Sequence, residues 1–371
     1  MFKLSLLPLC TAGSRLLLAS VMTALLSGCG SSSSDSSSSD TDDASDTVET
    51  TYTYSDCSSL TLQVELMACL AENFLSTLTD SEIDTVLNDL TENNATETWS
   101  NLPAPSIDYN GILIDNLSSD EAKTAAEALL SAALSADGNE TMEGVRMADE
   151  YLSTFDGNVY GEDNYAIALL GSPSTTAAWM VEFTGHHYTF FSSFNAEPVS
   201  LTPNFVAIEP VSWTVDNQTY APMAKHHDAL VNLFDSLDSG QLVTALLEGE
   251  YDDVLVGPQD DGNYPEQQEG LSVSELTDQQ KDLVIAVITA YAADANETGQ
   301  LDDYISDEQL AETYVAYASY PDMVSQSAYA RIDGPSIWIE FTVQGGVVFS
   351  DNHYHSIWRD KELDYGGNFD L

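Results

Sequence analysis

YARIDGPSIWIEFTVQGGVVFSDNHYHSIWRD, residues 329–360, is the stretch whose reading decides the fold. It gathers two of the six histidines and two of the five tryptophans of the 371-residue chain, together with Arg331 and Arg359. Its β-branched and aromatic runs predict two strands, Ile337 to Val343 and Val347 to about Trp358, joined at the Gly345-Gly346 turn. On the second strand His353 and His355 are two residues apart, so both imidazoles point to one face and Tyr354 to the other. Two imidazoles on one face are half of a metal site or of a polar active site.

The other histidines also come in pairs, His186-His187 and His226-His227. The first pair follows the strand led by Trp179, as His353-x-His355 follows the strand led by Trp338. Adjacent strand residues face opposite ways, so one of His186 and His187 is expected to join His353 and His355. That set resembles an open catalytic zinc site with water in the fourth position. Glu182, Glu340 or Asp360 would serve as fourth ligand, orienting partner or general base. The cofactor of this reading is a divalent metal such as zinc. A metal-free polar pocket and a purely structural histidine network fit the same pattern, which lacks the specificity of HExxH. Arg331, Arg359 and Lys361 would clamp the carboxylate or phosphate of a small anionic ligand, or else pair with Glu340, Asp360 or Asp364. His226-His227 follows Lys225 at a helix start and is expected on the surface; Trp179 and Trp338 are expected in the core.

A period of 159 residues relates Leu78 to Leu237, Gly111 to Gly270, Leu117 to Leu276 and Trp179 to Trp338. Repetition at a fixed offset points to a tandem duplication within one domain, residues 57–371, with halves of about 59–217 and 218–371. Each half reads as helices, an extended lead-in at Ile112 or Leu271, a long helix and a β-hairpin. The fold class is therefore α+β, with antiparallel hairpins meeting near a pseudo-twofold axis, a common place for a binding site.

Residues 1–28 read as a signal peptide: Lys3 and Arg15, then the apolar run Leu16 to Leu26. Leu26-Ser27-Gly28-Cys29 resembles a bacterial lipobox, which makes Cys29 the lipidated first residue and the lipid bilayer a partner through its acyl chains. Gly30 after the cysteine favours the outer membrane of a Gram-negative envelope. Residues 29–56 are then the lipidated cysteine and a Ser/Asp tether with too little apolar surface to order. Beyond the signal, seven Lys and Arg face 61 Asp and Glu, and 7 − 61 gives a charge of −54. Such a surface repels nucleic acid and anionic lipid headgroups, so neither is its partner.

Cys57 and Cys69 remain and are expected to form a disulfide in an oxidising envelope. Within one helix they would stand about 18 Å apart, so Cys57 must fold back from an extended lead-in. No GxSxG, P-loop, GxGxxG or zinc CxxC pair is present, and Asp156-Gly157-Asn158 and Asp260-Asp261-Gly262-Asn263 are incomplete calcium loops.

The pattern Trp179…Gly185-His186-His187, Pro203-x-Phe205, Glu209-Pro210, then YxRIxGPS…IE…NHxHSxWRD…DYG, resembles a bacterial family catalogued as domain of unknown function 3500. The resemblance spans most of the chain beyond the tether; Met180 stands where the family pattern has glycine. It implies a single fold unit and marks the same His, Arg and Trp residues, but implies no reaction. The expectation is an envelope lipoprotein that binds a metal or small ligand between its halves, with metal-dependent hydrolysis as its chemistry if it is an enzyme. The alternative is a non-enzymatic structural or interaction protein.

Overall fold

The computed structural model describes residues 51–156, 159–369 and 371. The signal, the lipobox with Cys29, nearly all of the tether and Gly157-Asn158 lie outside the described residues.

The first part of the chain forms α1 (Gln63–Ser76), α2 (Asp80–Val86), β1 (Leu87–Asn88), α3 (Glu92–Thr96), β2 (Ile112–Leu113), α4 (Asp120–Ala133) and α5 (Ala136–Asp156). Strands β3 (Ala166–Leu170), β4 (Ala178–Thr184), β5 (Tyr188–Asn195), β6 (Pro198–Ser200) and β7 (Asn204–Ile208) follow, then a small hairpin of β8 (Trp213–Val215) and β9 (Gln218–Tyr220). The second part forms α6 (Ala224–Asp235), α7 (Ser239–Ala245), β10 (Leu271–Ser272), α8 (Asp278–Ala292), α9 (Gln300–Tyr304) and α10 (Asp307–Ala311). It ends in β11 (Tyr314–Ala318), β12 (Tyr329–Asp333), β13 (Ile337–Gly345) and β14 (Asn352–Asp360). Among these residues no helix is long and apolar enough to cross a membrane.

Helices and a mainly antiparallel sheet are thus mixed in one body. The sheet order is β1-β3-β4-β5-β7-β14-β13-β12-β11-β10, with β2 on β3 and β6 on β5. Period-two alternation sorts its side chains. One face, with Ile167, Val181, Phe183, Phe190, Val206, Ile339 and Phe341, packs against Met67, Phe74, Leu129, Val145 and Val287 of the helices. Fully burying side chains of this size stabilises by roughly 1.5–3 kcal/mol each. The other face carries Phe191, Phe205 and Ile357 and is covered by irregular segments through Trp99, Val254 and Tyr365.

Several expectations are corrected. The two hairpins do not abut: β7 lies between them and pairs with both β5 and β14. Counting outward from the β7–β14 pair, β5 matches β13 and β4 matches β12, so the Trp179 and Trp338 strands are not equivalent. Both tryptophans are buried, but on opposite faces of the sheet. The strand after the Gly345-Gly346 turn starts at Asn352, because the backbone N–H groups of Val347, Val348 and Phe349 fold over the Glu209 carboxylate and donate to it at 3.0, 2.8 and 2.7 Å. His226 is not on the surface. It shares the apolar stripe of α6 with Leu230, Leu233 and Phe234 and is buried against the Tyr291 ring, 4.5 Å between centroids. Burial, helped by Lys225, moves its pKa well below the ordinary value.

Cys57 lies ahead of α1 and is bonded to Cys69 midway along it, with Cα atoms 6.0 Å apart. Gly111 and Gly270 lead into β2 and β10 at φ +73° and +107°. A Cβ there would stand 2.0 Å from Ile167 O and 2.5 Å from Val315 O, so both positions need glycine.

Candidate functional site

Strand β14 points His353 and His355 to the face covered by irregular segments, and the turn between β4 and β5 brings in His187. The Nε2 atoms of His187 and His353 are 3.1 Å apart, and those of His355 and His353 are 3.0 Å apart. All three rings are buried, and one nitrogen of each lies within 4.8 Å of the others. His186 and His187 sit in the turn rather than on a strand, so they do not face opposite ways. Their rings stack at 3.4 Å, and His186 stays beside the trio with Nδ1 3.1 Å from Asp149 Oδ1. Gly185 makes this turn fit, since a Cβ would come 2.3 Å from the Tyr165 ring.

Hydrogen bonding alone does not satisfy the trio. A neutral imidazole nitrogen presents either one in-plane lone pair or one N–H. His353 Nε2 faces two other nitrogens, so at least one contact lacks a proper donor–acceptor pair, whereas a cation takes all three lone pairs. Zinc ligands at 2.0–2.1 Å from the metal stand about 3.3 Å from one another, close to the spacing here. Burial, then the neighbouring His186, pushes the His187 pKa down to about 3. Burial, with His187 and His355 beside it, pushes that of His353 well below its ordinary value. Both rings are held in the neutral form that ligates metals.

A carboxylate stands behind each ring. Asp253 Oδ1 is 2.8 Å from His355 Nδ1, and Glu209 Oε2 is 3.9 Å from His353 Nδ1. Asp149 Oδ1 is 3.1 Å from His187 Nδ1, without the alignment of a hydrogen bond. Burial opposes ionisation of Asp149, but His186 and His187 outweigh it and hold the pKa far below the carboxylate range. Tyr165 Oη also donates to Asp149 at 2.6 Å. A carboxylate hydrogen-bonded to the other ring nitrogen fixes ring orientation and raises the basicity of a ligating histidine, as Asp253 is placed to do for His355.

The carboxylates read from the sequence lie elsewhere. Glu182 is fully buried, accepts from Asn110 at 3.0 Å and leaves Oε1 without a partner among the described residues. Burial pushes its pKa up to about 8, which makes it a neutral acid at pH 7. Glu340 accepts from Leu255 N, Val256 N, Tyr329 Oη and Trp338 Nε1 at 2.6–2.9 Å. Burial still pushes its pKa up. Asp360 projects from the helix-covered face, where Oδ2 accepts from Tyr304 Oη at 2.6 Å and Gln300 at 3.2 Å. None of the three hydrogen-bonds a histidine of the trio among the described residues.

The two arginines do not form a clamp. Arg359 donates to Val256 O, Gly257 O, Asp261 and Asp364 at 2.7–2.9 Å. Arg331 lies over the Trp338 ring at 5.1 Å and pairs with Glu269 at 3.2 Å. Lys361 pairs with Asp333 at 2.6 Å. Of the partners expected for these cations, only Asp364 is used.

The sequence reading missed Asp149, Glu209 as a site residue, and Asp253. Asp149 was findable, because it interrupts the buried stripe of Met142, Val145 and Leu152 on α5. Asp253 stands in an irregular segment with no periodicity to mark it.

No curated protein and no solved structure matches the chain. The family described as "Protein of unknown function (DUF3500)" matches residues 61–367, a span that holds all three histidines, their carboxylates and both arginines. The chain belongs to that family.

Proposed function

We propose that this chain is a lipid-anchored cell-envelope protein that holds one divalent transition-metal ion, zinc by preference, on His187, His353 and His355. The observation that carries the reading is the convergence of three Nε2 atoms, with a carboxylate behind every ring. A three-imidazole site leaves a fourth ligand position, and a bound divalent ion there supplies the Lewis acidity that activates water for hydrolysis. Asp149, Glu209 and Asp253 would orient the rings. Glu182 is protonated at neutral pH and unsuited to act as the base.

The same reading takes the fold as a duplicated α+β unit. Supporting it, the sheet order mirrors itself about the β7–β14 pair, and Gly111 and Gly270 make the same close approach. The capping boxes Thr79/Glu82 and Asp238/Gln241 also stand 159 residues apart. The anchor rests on the lipobox at Cys29, with residues 30–56 as its tether.

A second, structural reading is favoured by Glu340 and Arg359, whose hydrogen bonds are spent holding the 254–261 segment against the sheet. Metal content decides between the two. Protein from residue 57 onward, purified without chelator and offered zinc, copper and iron, is expected to carry about one ion per chain by elemental mass spectrometry. A His353→Ala/His355→Ala variant is expected to carry none. Metal in neither sample would sink the metal reading and leave the structural one.

A further inference from the structure

His187 presents a nitrogen on each side. Its Nε2 faces the trio, while its Nδ1, fully buried and without a hydrogen-bond partner among the described residues, lies 3.1 Å from Asp149 Oδ1. His186 Nδ1 lies at the same distance from that oxygen. Asp149, His186 and His187 therefore make a second set of two nitrogens and one oxygen within 4.8 Å of one another.

This second set adjoins solvent. The Tyr160 ring, 4.8 Å from that of His186, lines a cleft of about 480 Å³ with Asp115, Glu150, Glu162 and Asp163. Lys123 neutralises Asp115 and Asp163 in part, and Arg146 also pairs with Asp163. Glu150 and Glu162 have no cationic partner among the described residues. Negative clefts of this kind raise the local concentration of cations.

Resting on the metal reading above, we infer that Asp149 and His186 form a loading position through which a divalent transition-metal ion passes from the Glu150/Glu162 cleft to the three-histidine centre. A neutral imidazole has one lone pair, so His187 serves one set at a time and the two positions alternate. With the ion on Nδ1, the ring proton is on Nε2. For the ion to take Nε2, that proton leaves to solvent and another enters at Nδ1, so the ring stays neutral in either position.

The test follows cobalt(II) binding to the metal-free full chain in detergent by its visible d–d bands. His186→Phe keeps the ring stacked on His187 but removes the ligand. Loading and chelator-driven release are both expected to slow by about tenfold, with one cobalt per chain and the final spectrum unchanged. Glu150→Gln/Glu162→Gln, on the cleft wall, is expected to slow loading at low salt and to match the parent at high salt. An unchanged loading rate in His186→Phe overturns the loading position while leaving the metal centre standing. Two cobalt ions in the parent and one in His186→Phe also overturn it, because the position would then be a resident site. A parent chain that binds no cobalt removes the metal reading itself.

Discussion

At the scale of single residues, the protein places uncompensated polar groups where an ordinary core would place leucine. An unpaired buried polar atom costs roughly 1–3 kcal/mol, so the nitrogens of the trio and Oε1 of Glu182 are expensive features. Glu182 gives a direct test. Its carboxyl has a folded pKa of about 8 against 4.5 for the free group, so the folded chain holds a proton that the unfolded chain releases. Its contribution is full below about pH 4.5 and is lost as pH rises through about 8, at ~1.4 kcal/mol per pH unit. Glu182→Gln should therefore match the parent near pH 5 and exceed it by on the order of 3 kcal/mol near pH 8, read as a shift in urea midpoint. Parallel pH profiles would show that Glu182 ionises freely in the fold. The histidine pairs were legible because spacing of two on a strand fixes a shared face. Asp149 was marked only as a polar break in the α5 stripe and Asp253 not at all, because their links to the histidines run across 38 and 102 residues respectively, through helix packing and an irregular segment.

At the scale of elements, the segment from Leu247 to Gly257 behaves as a strap across the sheet. Leu247 N donates to Tyr317 O at 2.8 Å, Tyr251 stacks on Tyr329 at 4.1 Å, and Asp253 meets His355. Leu255 and Val256 then donate to Glu340, while Val256 O and Gly257 O receive Arg359. Glu340 and Arg359, which read as part of a ligand site in the sequence, are therefore anchors of this loop. Glu340→Gln keeps the volume but replaces one acceptor oxygen by a donor facing other donors. It should lower stability by ~1–3 kcal/mol and raise amide hydrogen exchange selectively in residues 250–258. Uniform exchange across the chain would count against the strap. The β13 and β14 pairing was readable from β-branched alternation and the Gly345-Gly346 turn. The place of β7 between the hairpins was not, since a five-residue strand after a turn gives no sign of which two neighbours it will join.

At the scale of the whole molecule, the trio spans the middle of the sheet. His187 comes from the β4–β5 side and His353 and His355 from β14, with β7 between them. An ion bound there would link the two sides and stabilise the fold by mass action. At a free concentration near 1,000 times Kd the gain is ~4 kcal/mol, or a rise in melting temperature on the order of 10 °C. Scanning calorimetry should show this rise when zinc is added to chelator-treated parent and no rise in His353→Ala/His355→Ala. An equal rise in both would place the ion elsewhere. The mixed helix-and-sheet class was readable from periodicity and the Cys57–Cys69 bond from the pair of cysteines left beyond the lipobox, whereas the sheet's order depends on pairings that no single segment encodes. The bond to Cys69 also sets how the molecule bears a mechanical load. A pull on the chain upstream of Cys57 passes through sulfur to the midpoint of α1, and residues 58–68 hang in a closed loop that carries no tension. Load therefore enters the helix at Cys69, and the helix is not peeled turn by turn from its N-terminal end.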